Sequence, residues 1–315
     1  MNEYVEVSII IVNYNKFGYL KKCLDSIIQQ TFNINYEIII VDNNSSEKGL
    51  EDTIDGIKNV ILLKNNKNFG FAVANNQGID IARGKYCLLL NNDIELVSNA
   101  IKESYEFVES QSKREIILGC QLLNSDGSNQ ESAVSFPSLL NIFTESFFIY
   151  KFFSKHRYLN KYYLNHIDIK DPIRVDIIKG AFMFGLKDVF RKVHGFDERF
   201  FFYSEETDLC YRLKNELQIN IIYCPQIKVY HHNNTESKFK GWFHHKNVSI
   251  GKIQYYQKHF KGIKKFIAIF LHHCGNIVRF ISNIAIGLLK LEKKYLLKGT
   301  YFIKLLFIPI PNKFQ

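Results

Sequence analysis

The segment "LLLNNDIEL", residues 88–96, runs three leucines straight into Asn91, Asn92 and Asp93. Leucines in such a run belong to a core, and a carboxylate at the end of a buried strand is costly unless a cation or hydrogen bonds satisfy it. One partner with suitable chemistry is a hard divalent cation, Mg2+ or Mn2+, bridging Asp93 to the phosphate oxygens of a substrate. Another is local, because an Asn-Asn-Asp turn capping the next helix accounts for the same residues. A second group of acids, Glu205, Glu206 and Asp208, opens the amphipathic segment "SEETDLCYRLK". Acids in a first helical turn complement the helix dipole, Ser204 is the expected N-cap, and Arg212 is placed to pair with Asp208 four residues earlier. Spacing alone leaves both readings open in each case.

The elements that must position these residues alternate along the first hundred positions. "VSIIIVNYN" (7–15), "YEIIIVDNNS" (36–45) and "KYCLLLNND" (85–93) read as apolar strands ending in polar residues. "YLKKCLDSIIQQ" places Leu20, Cys23, Leu24, Ile27 and Ile28 at helical spacing, a further helix is expected around 70–82, and "NVILLKN" (59–65) is a short amphipathic segment. Fully apolar strands separated by helices imply βαβ units and a parallel sheet covered on both faces. Ligands of such sheets bind at the carboxyl ends of the strands, where this chain carries Asn13 and Asn15, Asp42 and Asn43, and Asn91 to Asp93. Beyond these come a helix near 99–111, a strand at 115–123 and a turn-rich "NSDGSNQES". The aromatic stretch 143–163 fits a helix or a loop on the acceptor side, and 175–214 reads as strand, helix, loop and second helix.

Six blocks in order, "VSIIIVNYNKFGYLKKCLDSI", "EIIIVDNNSS", "NFGFAVANNQGIDIARGKYCLLLNND", "GAFMF", "GFDERFFFYSEETDLCYRL" and "VYHHNNTES", carry a family resemblance. Over most of residues 7–235 the chain resembles the family 2 inverting glycosyltransferases of the GT-A fold, in their rhamnosyltransferase-like branch. The resemblance implies an α/β catalytic domain, a mostly parallel sheet covered by helices. It places the nucleotide sugar at Asn13, Tyr14, Asp42, Asn68, Gly70, Asn76, Asn91 and Asn92. It also implies a Mg2+ or Mn2+ ion at Asp93 and at a late histidine, His231, with adjacent His232 leaving the choice open. The catalytic base falls on Glu206, where the family has Asp; Glu205 and Asp208 are candidates for the acceptor side, with a structural role the other reading of Asp208. Asn91 replaces the first acid of the family's DxD-like motif, leaving Asp93 as its sole charged ligand.

The implied reaction is transfer, with inversion, from a dTDP-rhamnose-like or UDP-sugar donor to a hydroxyl of a glycan or lipid-linked glycan, in bacterial surface polysaccharide synthesis. A sugar nucleotidyltransferase or dinucleotide enzyme is disfavoured, because no Gly-rich phosphate loop follows the first strand. The departures at Asn91 and Glu206 leave room for a catalytically silent GT-A-like assembly protein at the membrane.

The charge pattern divides the chain. Of the formal +10, residues 251–315 hold twelve Lys/Arg against Glu292, while residues 1–250 hold 29 bases and 30 acids. We therefore expect a catalytic domain over 1–250 and a basic, apolar helical extension over 251–315. In that tail Lys265, His272, Asn276, Arg279, Asn283, Lys290 and Lys294 form a narrow polar stripe on an apolar helix. The stripe suits an interfacial helix, or a pair broken near Gly275 or Gly287, with a hairpin packed on protein as the other reading. Bases mixed with apolar residues point to anionic lipid rather than nucleic acid. Six scattered cysteines without a CxxC pair are expected to be buried reduced thiols, and the first apolar run reads as a strand, not a signal peptide. Both favour the cytoplasm, at the inner face of the membrane.

Overall fold

A computed structural model of the chain describes residues 4–164, 168–232 and 241–309. Its strands are β1 (Val7–Asn13), β2 (Tyr36–Asp42), β3 (Val60–Lys64), β4 (Tyr86–Asn91), β5 (Ile94–Leu96), β6 (Ile116–Leu123), β7 (Ala133–Val134), β8 (Ile173–Val175), β9 (Ile177–Ile178), β10 (Phe182–Leu186) and β11 (Asn220–His231). The helices are α1 (Phe17–Gln30), α2 (Leu50–Ile54), α3 (Phe71–Ile81), α4 (Ala100–Glu109), α5 (Leu139–Ser146), α6 (Ile149–Phe152), α7 (Lys187–Lys192), α8 (Glu205–Glu216), α9 (Trp242–His259), α10 (Gly262–Lys290) and α11 (Lys293–Lys304). They form two compact units. One comprises Met1–Val134, Ile169–Glu198 and Glu206–Thr235; the other comprises Ser135–Asp168, Arg199–Glu205 and Glu236–Gln315. The division expected at residue 250 from charge lies inside α9.

The first unit is built on a sheet in the order β3-β2-β1-β4-β10-β6-β11-β5, with β8 added beside β11. Strands β1 to β4 are parallel, β10 runs against both β4 and β6, and β6 and β11 are parallel again. The mixed sheet is mostly parallel and covered by helices, as the apolar strands require. Ile9, Ile11, Leu88, Leu90, Phe182 and Phe184 are at most 2% exposed and share one core cluster with Leu20, Leu24 and Ile27 of α1. Burial of each such side chain stabilises the fold by about 1.5–3 kcal/mol. On the other side α3 crosses closely, since a Cβ at Gly78 would stand 2.4 Å from Ile10 Cγ2. The segment 59–65, amphipathic in sequence, is the half-buried edge strand β3.

Register aligns the polar strand ends. Asn13 pairs with Asp42, and Val12 with Asn91, so the ends of β1, β2 and β4 share one edge. At the opposite end Glu37, fully buried, accepts from Ser8 Oγ at 2.6 Å, from the Arg83 N–H at 2.7 Å and from Arg83 Nε at 2.7 Å. Burial alone would raise its pKa, but these donors and the Arg83 charge hold it below the usual carboxylate value.

The second unit is helical. Its apolar tail does not break near Gly275: α10 runs unbroken for 29 residues and turns at Leu291, four residues beyond Gly287, in the left-handed region with φ 54°. The glycines serve close approach instead. A Cβ at Gly275 would lie 3.0 Å from Ser146 Cα of α5, and one at Gly287 would lie 2.6 Å from Leu296 of α11. Thus α10 and α11 form a hairpin. Among the described residues no helix is long and apolar enough to cross a membrane. The aromatic stretch resolves into the end of α5, the short α6 and turns. Ser204 departs from the extended conformation usual for an N-cap: it and Tyr203 are both left-handed, with φ 71° and 72°.

Candidate active site

The end of β1 and β2 is a closed polar network. Asn13, fully buried, donates through Nδ2 to Asp42 Oδ1 at 3.1 Å and accepts from Asn92 Nδ2 at 2.7 Å. Asp42, 5% exposed, also accepts from Ser45 Oγ at 2.5 Å and from the Ser45 N–H at 3.0 Å. Three expected residues are therefore one unit, and Ser45, which was not singled out in the sequence, completes it. The two Asp42 oxygens retain acceptor capacity for a further donor. Tyr14, next along the chain, leaves its ring half exposed.

A second cluster fixes the turn into α3. Asn68 Oδ1 accepts the Gly70 N–H at 2.9 Å, and Gly70, at φ 90°, offers its carbonyl to Asn43 Nδ2 at 3.0 Å. Gly70 suits this position because φ > 0 carries no Cβ penalty there. Asn76 is not part of either cluster. Its Nδ2 donates to the Phe196 carbonyl and Glu198, and its Oδ1 accepts the Phe196 N–H at 2.8 Å, so its amide holds the 196–198 segment.

At the end of β4, Asp93 meets His231 of β11, with His231 Nε2 3.4 Å from Asp93 Oδ1 and the same distance from Asn91 Nδ2. His232 turns the other way, Nε2 to Glu95 at 2.8 Å and Nδ1 to Ser125 Oγ at 2.9 Å. Alternation along a strand separates the two histidines. Gln130 orients the His231 ring. Its Nε2 donates to the His231 carbonyl at 2.6 Å, so its Oε1 is the acceptor for His231 Nδ1 at 2.9 Å. In the neutral imidazole the proton is then on Nδ1, and the Nε2 lone pair accepts from Asn91 Nδ2 with the Asp93 carboxylate at the same distance. Asp93 Oδ1 is buried with no hydrogen-bond partner among the described residues.

A carboxylate oxygen and an imidazole lone pair 3.4 Å apart fit a cation between them, and the Gln130 contact is the kind of outer partner that metal-bound histidines have. The donor set is small. Among the described residues no group of three or more His, Cys, Asp or Glu side chains could hold a metal, so a hard cation here would need further oxygen ligands beyond this pair.

Glu206 stands in the first turn of α8 with Oε2 buried and without a hydrogen-bond partner among the described residues. It faces Gly180, where a Cβ would lie 3.5 Å from Glu206 Cβ and 3.7 Å from Phe71. The next residue, Ala181, accepts the Asn91 N–H at 3.0 Å, which ties Glu206 to the same end of β4 as Asp93. Glu205 is buried and belongs to the second unit. Asp208 does not face outward: it is 0% exposed and its Oδ2 accepts from Arg212 Nε at 2.8 Å. Arg212 donates further to the Val193 and Gly195 carbonyls, so this pair packs α8 and is not on an acceptor-facing surface. The part of the last motif block beyond His232 lies outside the described residues.

Comparison with known proteins gives three findings. The model for "Glycosyl transferase family 2" matches residues 8–192. Among curated proteins, the chain is 27% identical over 255 residues to the rhamnosyltransferase WbbL of Escherichia coli K12, covering 75% of this chain and 88% of that one. It is 36% identical over 107 residues to the E. coli UDP-Glc:alpha-D-GlcNAc-diphosphoundecaprenol beta-1,3-glucosyltransferase WfaP, covering 33% of this chain and 42% of that one. Other curated relatives are matched over only 19–38% of their own length. Among solved structures, the mannosyltransferase PcManGT of Pyrobaculum calidifontis, in complex with GDP-Man and Mn2+, superposes with a TM-score of 0.55 at 12% identity. That match covers 97% of this chain and 87% of the other, and at this identity it speaks for the fold alone.

Proposed function

The chain belongs to glycosyl transferase family 2, in its rhamnosyltransferase-like branch and with the GT-A fold, and from that premise we propose that it transfers a sugar from a nucleotide-diphosphate donor to a hydroxyl of a glycan or lipid-linked glycan, with inversion. The observation that carries the reading is Glu206. Its Oε2 is a buried carboxylate oxygen without a hydrogen-bond partner among the described residues, held through Gly180 and Ala181 at the strand end that bears Asp93. A carboxylate kept free in this way can accept the proton of an attacking hydroxyl.

Asp42 and Asn13 hold the nucleobase. The N3–H of uracil or thymine can donate to the remaining capacity of Asp42, which supports UDP and dTDP donors alike, and the half-exposed Tyr14 ring offers a stacking face. Asp93 and His231 Nε2 would hold Mg2+ or Mn2+, which supplies charge neutralisation for the departing diphosphate. Glu206 takes the hydroxyl proton as the acceptor oxygen attacks the anomeric carbon from the face opposite the diphosphate, and configuration inverts in that single displacement. The curated relatives support a place in polysaccharide assembly, with WfaP named for a diphosphoundecaprenol-linked acceptor and WbbL for rhamnosyl transfer. Work at a membrane face is supported by the outer side of α10, where Ile263, Phe266, Phe270 and Ile281 are 60–73% exposed, with exposed Lys264 next to Ile263.

The test is calorimetric titration of the whole chain with UDP and dTDP, each with and without Mn2+, for the wild type and Asp93→Ala. Metal-dependent binding of a nucleotide, lost in the variant, is expected. Failure of both nucleotides to bind would favour a silent assembly protein.

A further inference from the structure

The middle of the α10 polar stripe turns inward, while Lys290 near its end is exposed. His272, Asn276, Arg279 and Asn283 line a cavity of about 580 Å³ inside the second unit, walled also by α5, α6, α9 and α11. This volume is in the range of small-ligand sites. Its charge is lopsided: Lys151, Lys252, Arg279 and Lys298 line it against the single carboxylate of Glu145. Glu145 is already engaged by Lys252 Nζ at 2.5 Å, and its backbone carbonyl accepts from Arg279 at 3.1 Å.

Besides these cations the wall carries amide donors. Asn276 is 3% exposed, and its Nδ2 has no hydrogen-bond partner among the described residues. A buried donor left in this state is destabilising, and an acceptor entering the cavity would remove that cost. Arg279 and Lys151 both lie over the Phe148 ring, at 5.2 and 4.8 Å from its centroid. Burial, and then the neighbouring Lys151, lowers the Lys298 pKa, so the cations crowd one another. His272 is held neutral, first by burial and then by Lys252, His273 and Arg279. Cations and amide donors gathered around one saturated carboxylate select an anion rich in acceptor oxygens.

The rest of the wall is apolar, with Ile142, Phe152, Val248, Ile286, Phe302 and Leu305. Phe152 is 82% exposed, so this apolar wall continues to the outer surface. A free phosphate would leave that surface unused.

We propose that this cavity binds the phosphate or diphosphate headgroup of an amphiphile with its aliphatic chain along the apolar wall, and is thus the site for the lipid-phosphate end of the acceptor. The assignment rests on the glycosyl-transfer reading for the word acceptor, but the binding itself does not depend on it.

The experiment titrates the whole chain, in EDTA to exclude metal-dependent nucleotide chemistry, with farnesyl diphosphate and separately with inorganic diphosphate. Farnesyl diphosphate binds the wild type, and more tightly than inorganic diphosphate. Lys151→Glu, at the exposed rim, and Asn276→Leu, which replaces the unpartnered amide with an apolar group, each weaken it about tenfold, the effect of one lost charge-assisted contact. Melting temperatures and the UDP and dTDP titrations with Mn2+ stay unchanged. If Asn276→Leu does not fold, Lys151→Glu carries the test. Equal affinity for inorganic diphosphate, no binding, or binding indifferent to the variants overturns the proposal. Loss of nucleotide binding in the wild type would instead count against the transferase reading.

Discussion

His231 Nε2 lies 3.4 Å from Asp93 Oδ1, and Gln130, by accepting from His231 Nδ1, places the ring's lone pair on the side of that carboxylate. Gln130→Leu removes the acceptor without touching either ligand. The apparent Mn2+ affinity, measured through Mn2+-dependent nucleotide binding, should fall about 10–100-fold, the usual effect of losing an outer partner of a metal-binding histidine. An unchanged metal dependence would mean that the ring's orientation does not serve a cation.

Asp208 and Arg212 separate a packing role from an acceptor role. Arg212→Met leaves the buried Asp208 charge without its ion-pair partner and frees two carbonyls, so a loss of about 3–5 kcal/mol is expected in chemical denaturation. Asp208→Asn, compared at equal folded fraction, should leave the acceptor KM unchanged. A raised KM with normal stability would return Asp208 to the acceptor side.

Glu37 makes the first unit acid-sensitive. Its folded pKa is held below the ordinary value by Ser8 and Arg83. The stabilisation is therefore full above the unfolded carboxylate pKa and is lost as pH falls through the folded value. Glu37→Ala should remove about 1.5–3 kcal/mol at neutral pH, the usual worth of hydrogen bonds to a charged group, and the difference from wild type should shrink in denaturation series carried down in pH. A constant difference across the series would show that the carboxylate charge is not what matters.

The cysteines should differ sharply in reactivity. Burial pushes the Cys87 and Cys210 thiols up to about 12, and Cys23, Cys120 and Cys224 are also buried, whereas Cys274 is partly exposed. Alkylation needs the thiolate. Iodoacetamide applied to the native chain, followed by peptide mass analysis, should mark Cys274 first, and early labelling of Cys210 would indicate opening around α8.

Much of this was legible in sequence because apolar strands followed by polar residues have few alternatives. The ends at Asn13, Asp42 and Asn91 to Asp93 share an edge because the strands are parallel, which brings their carboxyl ends together. Gln130 was not legible: it sits in a turn-rich run where one amide looks like any other, and only the fold brings it to His231. The choice between His231 and His232 needed the partner strands, because alternation says that they diverge and not which one meets Asp93. The α10 stripe was read with the correct period, but its partners, Glu145 and Lys252, come from distant segments, so its direction could not follow from period alone.

The role proposed for Glu206 is to take the acceptor's proton. Its most direct test is Glu206→Gln, with sugar transfer and nucleotide binding measured on the same preparation. The substitution keeps the side chain's size and removes only its capacity as a base. Transfer is expected to fall at least about a hundredfold, the usual contribution of a general base, while UDP or dTDP binding with Mn2+ stays as in the wild type. Transfer that persists in the variant, or binding that disappears together with it, would contradict the assignment.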